Sequence, residues 1–315
     1  MGDPVAICVS ACLLGENVRY NGGQKHDSYI TGTLGKFFAL VPVCPEVESG
    51  MSVPREPMRL EGDPSAPRLM TIETRIDKTG QLISFSRERI RGLEEENLSG
   101  FIFKKRSPSC GPSQVKVHNR ALREKKGVGL FAQAIMCRMP LIPCEDEERL
   151  GDPGVRENFI ERVFSYRGWS DFLREGPEIG GLVEFHARHK LLIMAHSPSS
   201  YREMGRLVAR CTELEKTDLF RQYGEMFMKA MAVHATISKH TNVLLHILGY
   251  FKKDLRSEEK AGLVDMIGEY RAGLVPLLAP LTMLRYYAIM LDRRYLAMQV
   301  YLNPSPAELF LRNHP

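Results

Sequence analysis

The segment Arg174-Glu-Gly-Pro-Glu-Ile-Gly-Gly181 places four structure breakers in eight positions, and the chain changes character across it. Before it, short apolar runs alternate with amphipathic stretches, the pattern of an α/β domain. The expected strands are Val5 to Ser10, Phe38 to Val43, Gly100 to Phe103 and Pro140 to Pro143. The expected helices include Ser86 to Leu98, Gly129 to Arg138 and a closing helix from Val155 to Leu173. Arg68 to Phe85, with Lys78-Thr79-Gly80 between two β-prone runs, reads as an inserted hairpin. After Gly181 nearly everything has helical spacing: Leu182 to Ala195, Ser199 to Thr212, Leu219 to Leu248, Ser257 to Gly273 and Leu277 to Tyr301. The pattern predicts a Rossmann-like, mostly parallel α/β domain over residues 1–175, then an all-α helical domain over 182–315.

A chain of 315 residues with 43% hydrophobic and 26% charged content can bury two such cores. No apolar run approaches the roughly 18 residues of a membrane span. The start, Met1-Gly-Asp-Pro-Val-Ala-Ile-Cys8, lacks the basic flank and apolar stretch of a secretory signal. A cytoplasmic chain without a membrane partner is therefore expected. In a reducing compartment its seven cysteines point to thiol chemistry or metal binding rather than to a disulfide framework.

The net charge of +5 is unevenly placed, and from Lys104 to Lys126 there are eight basic residues against a single Glu124. Such a stretch can attract phosphates, although charge runs are more often a solvated face.

Cys12 follows the first expected strand, Cys44 the second, and Cys110 lies a few residues after the third. Loops at the C-terminal edge of a parallel sheet converge, so residues far apart in sequence can meet there. Gly15, Pro45, Pro108, Gly111 and Pro112 fix the backbone around these thiols. Cys8, Cys137 and Cys211 fall on strands or helices and read as packing residues, while Cys144, in Pro143-Cys144-Glu145, is a reserve ligand. Three thiolates admit zinc with an open position, or a 4Fe-4S cluster with one iron not bound by protein. Spacing does not choose between them.

Val9-Ser-Ala-Cys-Leu-Leu-Gly15 with Arg19-Tyr20, Cys44-Pro-Glu46 with Pro54-Arg55, and Ser107-Pro-Ser-Cys-Gly111 together resemble the thiouracil desulfidase family over roughly residues 4–165. The resemblance implies a 4Fe-4S cluster on Cys12, Cys44 and Cys110 whose fourth iron takes sulfur from a thiolated pyrimidine. It also implies catalytic roles for Glu46, as base toward water, and for Ser107, which passes a proton or holds the ring. Ser109 is expected to orient the loop, and it joins Arg19, Tyr20 and Asn21 as the substrate-binding set.

Phe185-His-x-x-His-Lys190 with His196-Ser197, His240-Thr-Asn-Val243 with His246 to Lys253, and Tyr295-Leu-x-x-Gln-x-Tyr-Leu-x-Pro304 are similar to a helical domain long without assigned function. The fused arrangement resembles the tRNA 4-thiouridine desulfidases, in which the helical part is thought to help hold tRNA. That implies tRNA containing 4-thiouridine as partner and substrate. Lys104, Lys105 and Arg106, with Arg188, Lys190, Lys252 and Lys253, are then the nucleic-acid contacts. His234, His240 and His246 are six residues apart, about 240° on a helix, and cannot share a face, so no metal is assigned to them. The Met and aromatic residues of Tyr223 to Met231 read as core.

Three rival readings stand beside this one: a desulfidase of free thiouracil or thionucleosides, a non-catalytic iron-sulfur sensor that binds nucleic acid, and a sulfur-inserting enzyme. The last lacks the Gly-rich ATP loop that activating a base requires.

Overall fold

Val-Ala-Ile-Cys-Val-Ser carries no charge over six residues, and a run of this kind, buried on both faces, belongs inside a parallel sheet. In the computed structural model, which describes residues 4–119 and 122–305, it is the inner strand β1 (Val5–Ser10). The chain divides into two compact units, up to residue 159 and from 160 on.

The first unit continues with α1 (Ser28–Gly32), β2 (Phe38–Val43), α2 (Pro45–Glu48), β3 (Met58–Asp63), β4 (Ala66–Thr71) and α3 (Thr79–Glu95). Then come β5 (Leu98–Phe103), β6 (Val115–Asn119), β7 (Leu122–Gly127), α4 (Leu130–Arg138) and β8 (Cys144–Asp146). One sheet runs β2-β1-β5-β8 with every pairing parallel, in agreement with the expected α/β class. A second sheet, β4-β3-β6-β7, is mixed: β3 pairs with β4 and β6 with β7 antiparallel, and β3 with β6 parallel.

Three sequence expectations need correction here. The last strand is Cys144–Asp146, not Pro140 to Pro143, because proline has no N–H for a ladder; Pro143 contributes only its carbonyl, accepting from the Phe101 amide at 2.8 Å. The hairpin expected over Arg68 to Phe85 is instead formed by β3 and β4, and Thr79 onward is helix. Leu82, Ser86, Ile90 and Leu93 make a buried helical stripe that outweighs Gly80 in the first turn. The start is pinned by the Asp77 carboxylate, which accepts the Thr79 amide at 2.9 Å, and by the Thr79 hydroxyl, which accepts the Leu69 amide at 2.8 Å. The β6 and β7 segment, seen in the sequence only as a basic stretch, is a ladder whose buried side carries Val115 and Val117. Arg120 and the side chains of Arg123, Glu124 and Lys125 lie outside the described residues.

The division between the units falls within α5 (Pro153–Arg174). Gly176 and Pro177 lie in the turn into α6 (Ile179–His196), while Gly180 and Gly181 fall in its first turn. There follow α7 (Pro198–Ala209), α8 (Lys216–Met231), α9 (Ile237–Tyr250), α10 (Ser257–Arg271), α11 (Leu278–Met290) and α12 (Arg294–Ala297). The single helix expected over Leu219 to Leu248 is two, since the Thr236 hydroxyl accepts the Lys239 amide at 3.3 Å and starts α9 afresh. The helix expected over Leu277 to Tyr301 breaks where Asp292 adopts a φ of +44°. Trp169 centres this unit's core, with Phe185 and Tyr223 each at 5.3 Å between ring centroids. Gly224 allows that approach, as a Cβ there would lie 2.7 Å from the indole nitrogen.

His186, His189 and His240 serve this unit's packing. His186 meets the Tyr223 hydroxyl at 3.2 Å, His189 the Phe185 carbonyl at 2.7 Å, and His240 the Tyr301 hydroxyl at 3.0 Å. Burial holds the His186 and His189 imidazoles down at about 4. His234 lies between α8 and α9 rather than on a helix.

Candidate active site

The ends of β1 and β2 are level, Ser10 opposite Val43, and β5 lies on the other side of β1. The segments that leave β1, β2 and β5 at this edge each carry a cysteine of the set. Cys12 sits on a 3-10 turn over Ala11–Leu14 that ends at Gly15, whose φ of +96° favours glycine. The Cys12 carbonyl accepts the Lys25 amide at 2.8 Å, which ties the turn to the following loop. Cys44 immediately precedes α2, and its amide donates to the Glu48 carboxylate at 2.7 Å.

Cys110 depends on a tighter device. The Ser107 hydroxyl accepts the Cys110 amide at 3.1 Å, and the Gly111 amide donates to the Ser107 carbonyl at 2.9 Å. The first amides of α4 would lack partners within the helix. They find them in this loop: Leu130 donates to the Pro108 carbonyl at 3.1 Å and Phe131 to the Ser109 carbonyl at 2.9 Å. A Cβ on Gly129 would lie 2.6 Å from the Ser109 carbonyl, so only glycine lets α4 approach so closely.

The three thiols line one cavity of about 410 Å³, together with Glu46, Ser107, Ser109, Arg19, Tyr20 and Lys104 to Arg106. Burial, reinforced by Cys44, pushes the Cys12 thiol up to about 11. Cys110 is raised well above the usual thiol range by burial, then by Glu46 and Cys44; Cys44 is raised by burial. Burial thus favours the neutral thiol over the thiolate at all three positions. Among the described residues no three His, Cys, Asp or Glu side chains are grouped so as to hold one metal ion. The donor chemistry, three cysteine sulfurs lining one cavity, is the kind that an iron-sulfur cluster takes. Cys144 lies outside the lining and donates to the Ile142 carbonyl at 3.6 Å.

Glu46 is gripped from two sides. Arg55 donates to its Oε2 from Nε at 2.9 Å and also from Nη2, and the Ser109 hydroxyl donates to its Oε1 at 2.5 Å. Ser107 and Ser109 meet at 2.9 Å between hydroxyl oxygens. The Arg19 guanidinium lies 5.6 Å from the centre of the Tyr20 ring, which is 42% exposed at the cavity. Asn21 is not in the lining; its side chain accepts the Gly23 amide at 3.2 Å and shapes the turn.

The basic residues differ among themselves. Lys104 is paired with Glu147 and Lys105 with Glu148, whereas Arg106 is exposed and has no ion pair among the described residues. In the second unit Arg188, Lys252 and Lys253 are exposed, and the Lys190 ammonium lies 5.9 Å from the centre of the Tyr201 ring.

Sequence reasoning did not assign Arg55, Pro57 or Met58 to the cavity, all of which line it. The signal for Arg55 was its place in the Pro54-Arg55 phrase, but its ionic partner nine residues upstream becomes visible only in the fold.

Residues 7–147 match the family described as 2-thiouracil desulfurase, and residues 190–306 match a family described as a protein of unknown function, DUF1722. Fold and site thus define a chain in which a desulfurase-type α/β module precedes a helical module. The chain belongs to the family of the Escherichia coli (strain K12) protein called Uncharacterized protein YbgA, being 33% identical to it over 158 residues, 50% of this chain and 94% of that protein. It is also 29% identical over 158 residues to the Bacillus subtilis (strain 168) Uncharacterized protein YbbK, covering 46% of this chain and 98% of that protein. A solved structure of a [4Fe-4S]-dependent thiouracil desulfidase, TudS, is 27% identical and aligns with 47% of this chain and 93% of its own, at a TM-score of 0.37.

Proposed function

We propose that this protein is a desulfidase that depends on a 4Fe-4S cluster held by Cys12, Cys44 and Cys110 and converts 4-thiouridine in tRNA to uridine. The carrying observation is that three thiols from three strand-end loops line one cavity with a carboxylate fixed beside them. The match of residues 7–147 to the 2-thiouracil desulfurase family supports the same reaction class.

The reaction exchanges C=S for C=O: a thiocarbonyl and water give a carbonyl and hydrogen sulfide, with no net electron transfer. When bound, the cluster supplies an iron with an open position, a Lewis acid suited to a thiocarbonyl sulfur. Glu46 takes a proton from the attacking water at its carboxylate. Ser107 and Ser109, bonded to each other and through Ser109 to Glu46, form a hydrogen-bonded chain that ends on the base. Arg19 and the exposed face of Tyr20 offer a stacking surface for a base drawn out of its stack. In the helical unit, exposed Arg188, Lys252 and Lys253 are assigned to the tRNA backbone, together with Lys190.

The test is Glu46→Gln. The variant should stay brown after anaerobic purification and lose turnover; near-normal activity would remove Glu46 from the mechanism. A colourless zinc-loaded protein with full activity would remove the cluster.

A second reading, the desulfidase of free thiouracil or a thionucleoside, gains from one observation. The pairing of Lys104 with Glu147 and Lys105 with Glu148 leaves less charge near the cavity for phosphate. Turnover of thiolated tRNA against free 4-thiouracil separates the two.

A further inference from the structure

We infer that Arg55 and Ser109 together aim Glu46, leaving one acceptor position of its Oε1 for the attacking water, and that Ser107 acts on Glu46 only through Ser109. This rests on the desulfidase reading above and adds to it the two residues that make the base directional.

An ionised carboxylate has about four lone-pair positions. Arg55 fills both on Oε2, through Nε at 2.9 Å and through Nη2. On Oε1 the Ser109 hydroxyl, at 2.5 Å, fills one. The second Oε1 position is the acceptor that remains among the described residues, on a carboxylate that lines the cavity with the thiols. A general base needs this: one directed site, with the other oxygen held so that the group cannot rotate away.

Arg55 is itself anchored independently of Glu46. Its amide donates to the Tyr20 carbonyl at 2.7 Å and its Nη1 to the Ser52 carbonyl at 3.3 Å. Its side chain is 8% exposed, and that of Glu46 12%. Arg55 therefore links the loop after β1 through its amide, and the loop before β3 and the carboxylate on α2 through its guanidinium.

The direction of the serine pair follows from proton counting. Ser107 Oγ accepts amide hydrogens from Ser109 at 3.3 Å and Cys110 at 3.1 Å, so its own hydrogen is free to point to Ser109. Ser109 has a single hydroxyl hydrogen and two acceptors in reach, Glu46 Oε1 at 2.5 Å and Cys110 Sγ at 3.6 Å; the much shorter contact commits it to Glu46. The chain runs Ser107 to Ser109 to Glu46. Arg55 and Ser107 are positioning residues under this assignment.

The experiment compares Arg55→Met, Ser109→Ala, Ser107→Ala and the double serine variant in the full-length reconstituted protein, reading iron content, visible absorbance, kcat and KM. Arg55→Met should lower kcat by about 100-fold with KM within a few-fold and iron content unchanged, in the range expected for a misdirected general base. Added methylguanidinium should restore part of that loss. The double serine variant should lose no more than Ser109→Ala alone, the non-additivity of a chain acting through one atom. Wild-type kcat in Arg55→Met and Ser109→Ala, or additive losses in the double variant, would overturn the inference. If Arg55→Met fails to fold, Ser109→Ala decides: lost kcat at full iron content supports the assignment, unchanged kcat refutes it. An inactive wild type would sink the desulfidase reading instead. In that case a crystal structure of Ser109→Ala decides, since a Glu46 carboxylate unmoved in it would contradict the aiming role and a swung one would support it.

Discussion

A methyl group at Gly129 would land 2.6 Å from the Ser109 carbonyl carbon and oxygen and 2.8 Å from the Gly111 amide nitrogen. All three are backbone atoms of the segment that carries Cys110, so no rotamer change relieves the contact. Carbon atoms rest at about 3.5–4.0 Å, which means the loop and α4 must separate by about 1 Å. That movement stretches the bonds from Leu130 and Phe131 to the Pro108 and Ser109 carbonyls. Overpacking of this kind costs about 1–3 kcal/mol, and alanine is a poorer N-cap than glycine, so Gly129→Ala should destabilise by about 2–4 kcal/mol. For a unit of this size the midpoint of thermal unfolding should fall by roughly 5–15 °C. Iron retained after anaerobic reconstitution should fall with it, because Cys110 moves relative to Cys12 and Cys44. The control is Gly92→Ala in α3, where the nearest atom is the flexible Arg89 Nη1 at 3.5 Å and the same methyl should stabilise by up to about 1 kcal/mol. A Gly129→Ala protein with wild-type melting and full iron content would refute the view that this contact sets the Cys110 loop.

Serine in place of Cys12, Cys44 or Cys110 should each reduce iron and acid-labile sulfide, whereas Cys144→Ser should leave both unchanged, its thiol lying outside the cavity. The His186 and His189 imidazoles are held at about 4, below their ordinary value of 6.5. A depressed histidine contributes nothing adverse above about 6.5 and destabilises as pH falls toward 4, by about 2 kcal/mol each at pH 5. Urea unfolding of the helical unit should therefore shift to lower midpoint between pH 7 and pH 5, and His186→Gln should shrink that shift; an equal shift in the variant would contradict the assignment. Charge reversal at Arg188, Lys252 and Lys253 should weaken tRNA binding and flatten its salt dependence, while free 4-thiouracil turnover stays as it was.

Strands β1 and β2 were legible because uninterrupted uncharged, mostly apolar runs leave few alternatives, and helix α4 because its apolar residues follow a Gly; the parallel sheet followed from the strands. The second sheet was not, since β6 and β7 mix buried valines with a run of basic residues that reads as surface. The extent of α3 was hidden by Gly80, a breaker in isolation but harmless in a first turn. At the site, position relative to strand ends was enough to bring Cys12, Cys44 and Cys110 forward. Glu46 and Ser107 needed a family resemblance, because a lone carboxylate or serine in a loop has no distinguishing pattern. Arg55 and the junction at Ser109 depend on how β3 and α4 dock against the cysteine loops, information that no local window contains.

The most direct test of the central claim is anaerobic incubation of the cluster-reconstituted protein with bulk tRNA, following 4-thiouridine and uridine in the digested nucleosides together with released sulfide. The account predicts loss of 4-thiouridine, a matching gain of uridine and one sulfide per base, all abolished in Cys110→Ser. Unchanged 4-thiouridine in tRNA, with no sulfide released from tRNA or from free 4-thiouracil by a brown, fully loaded protein, would contradict it.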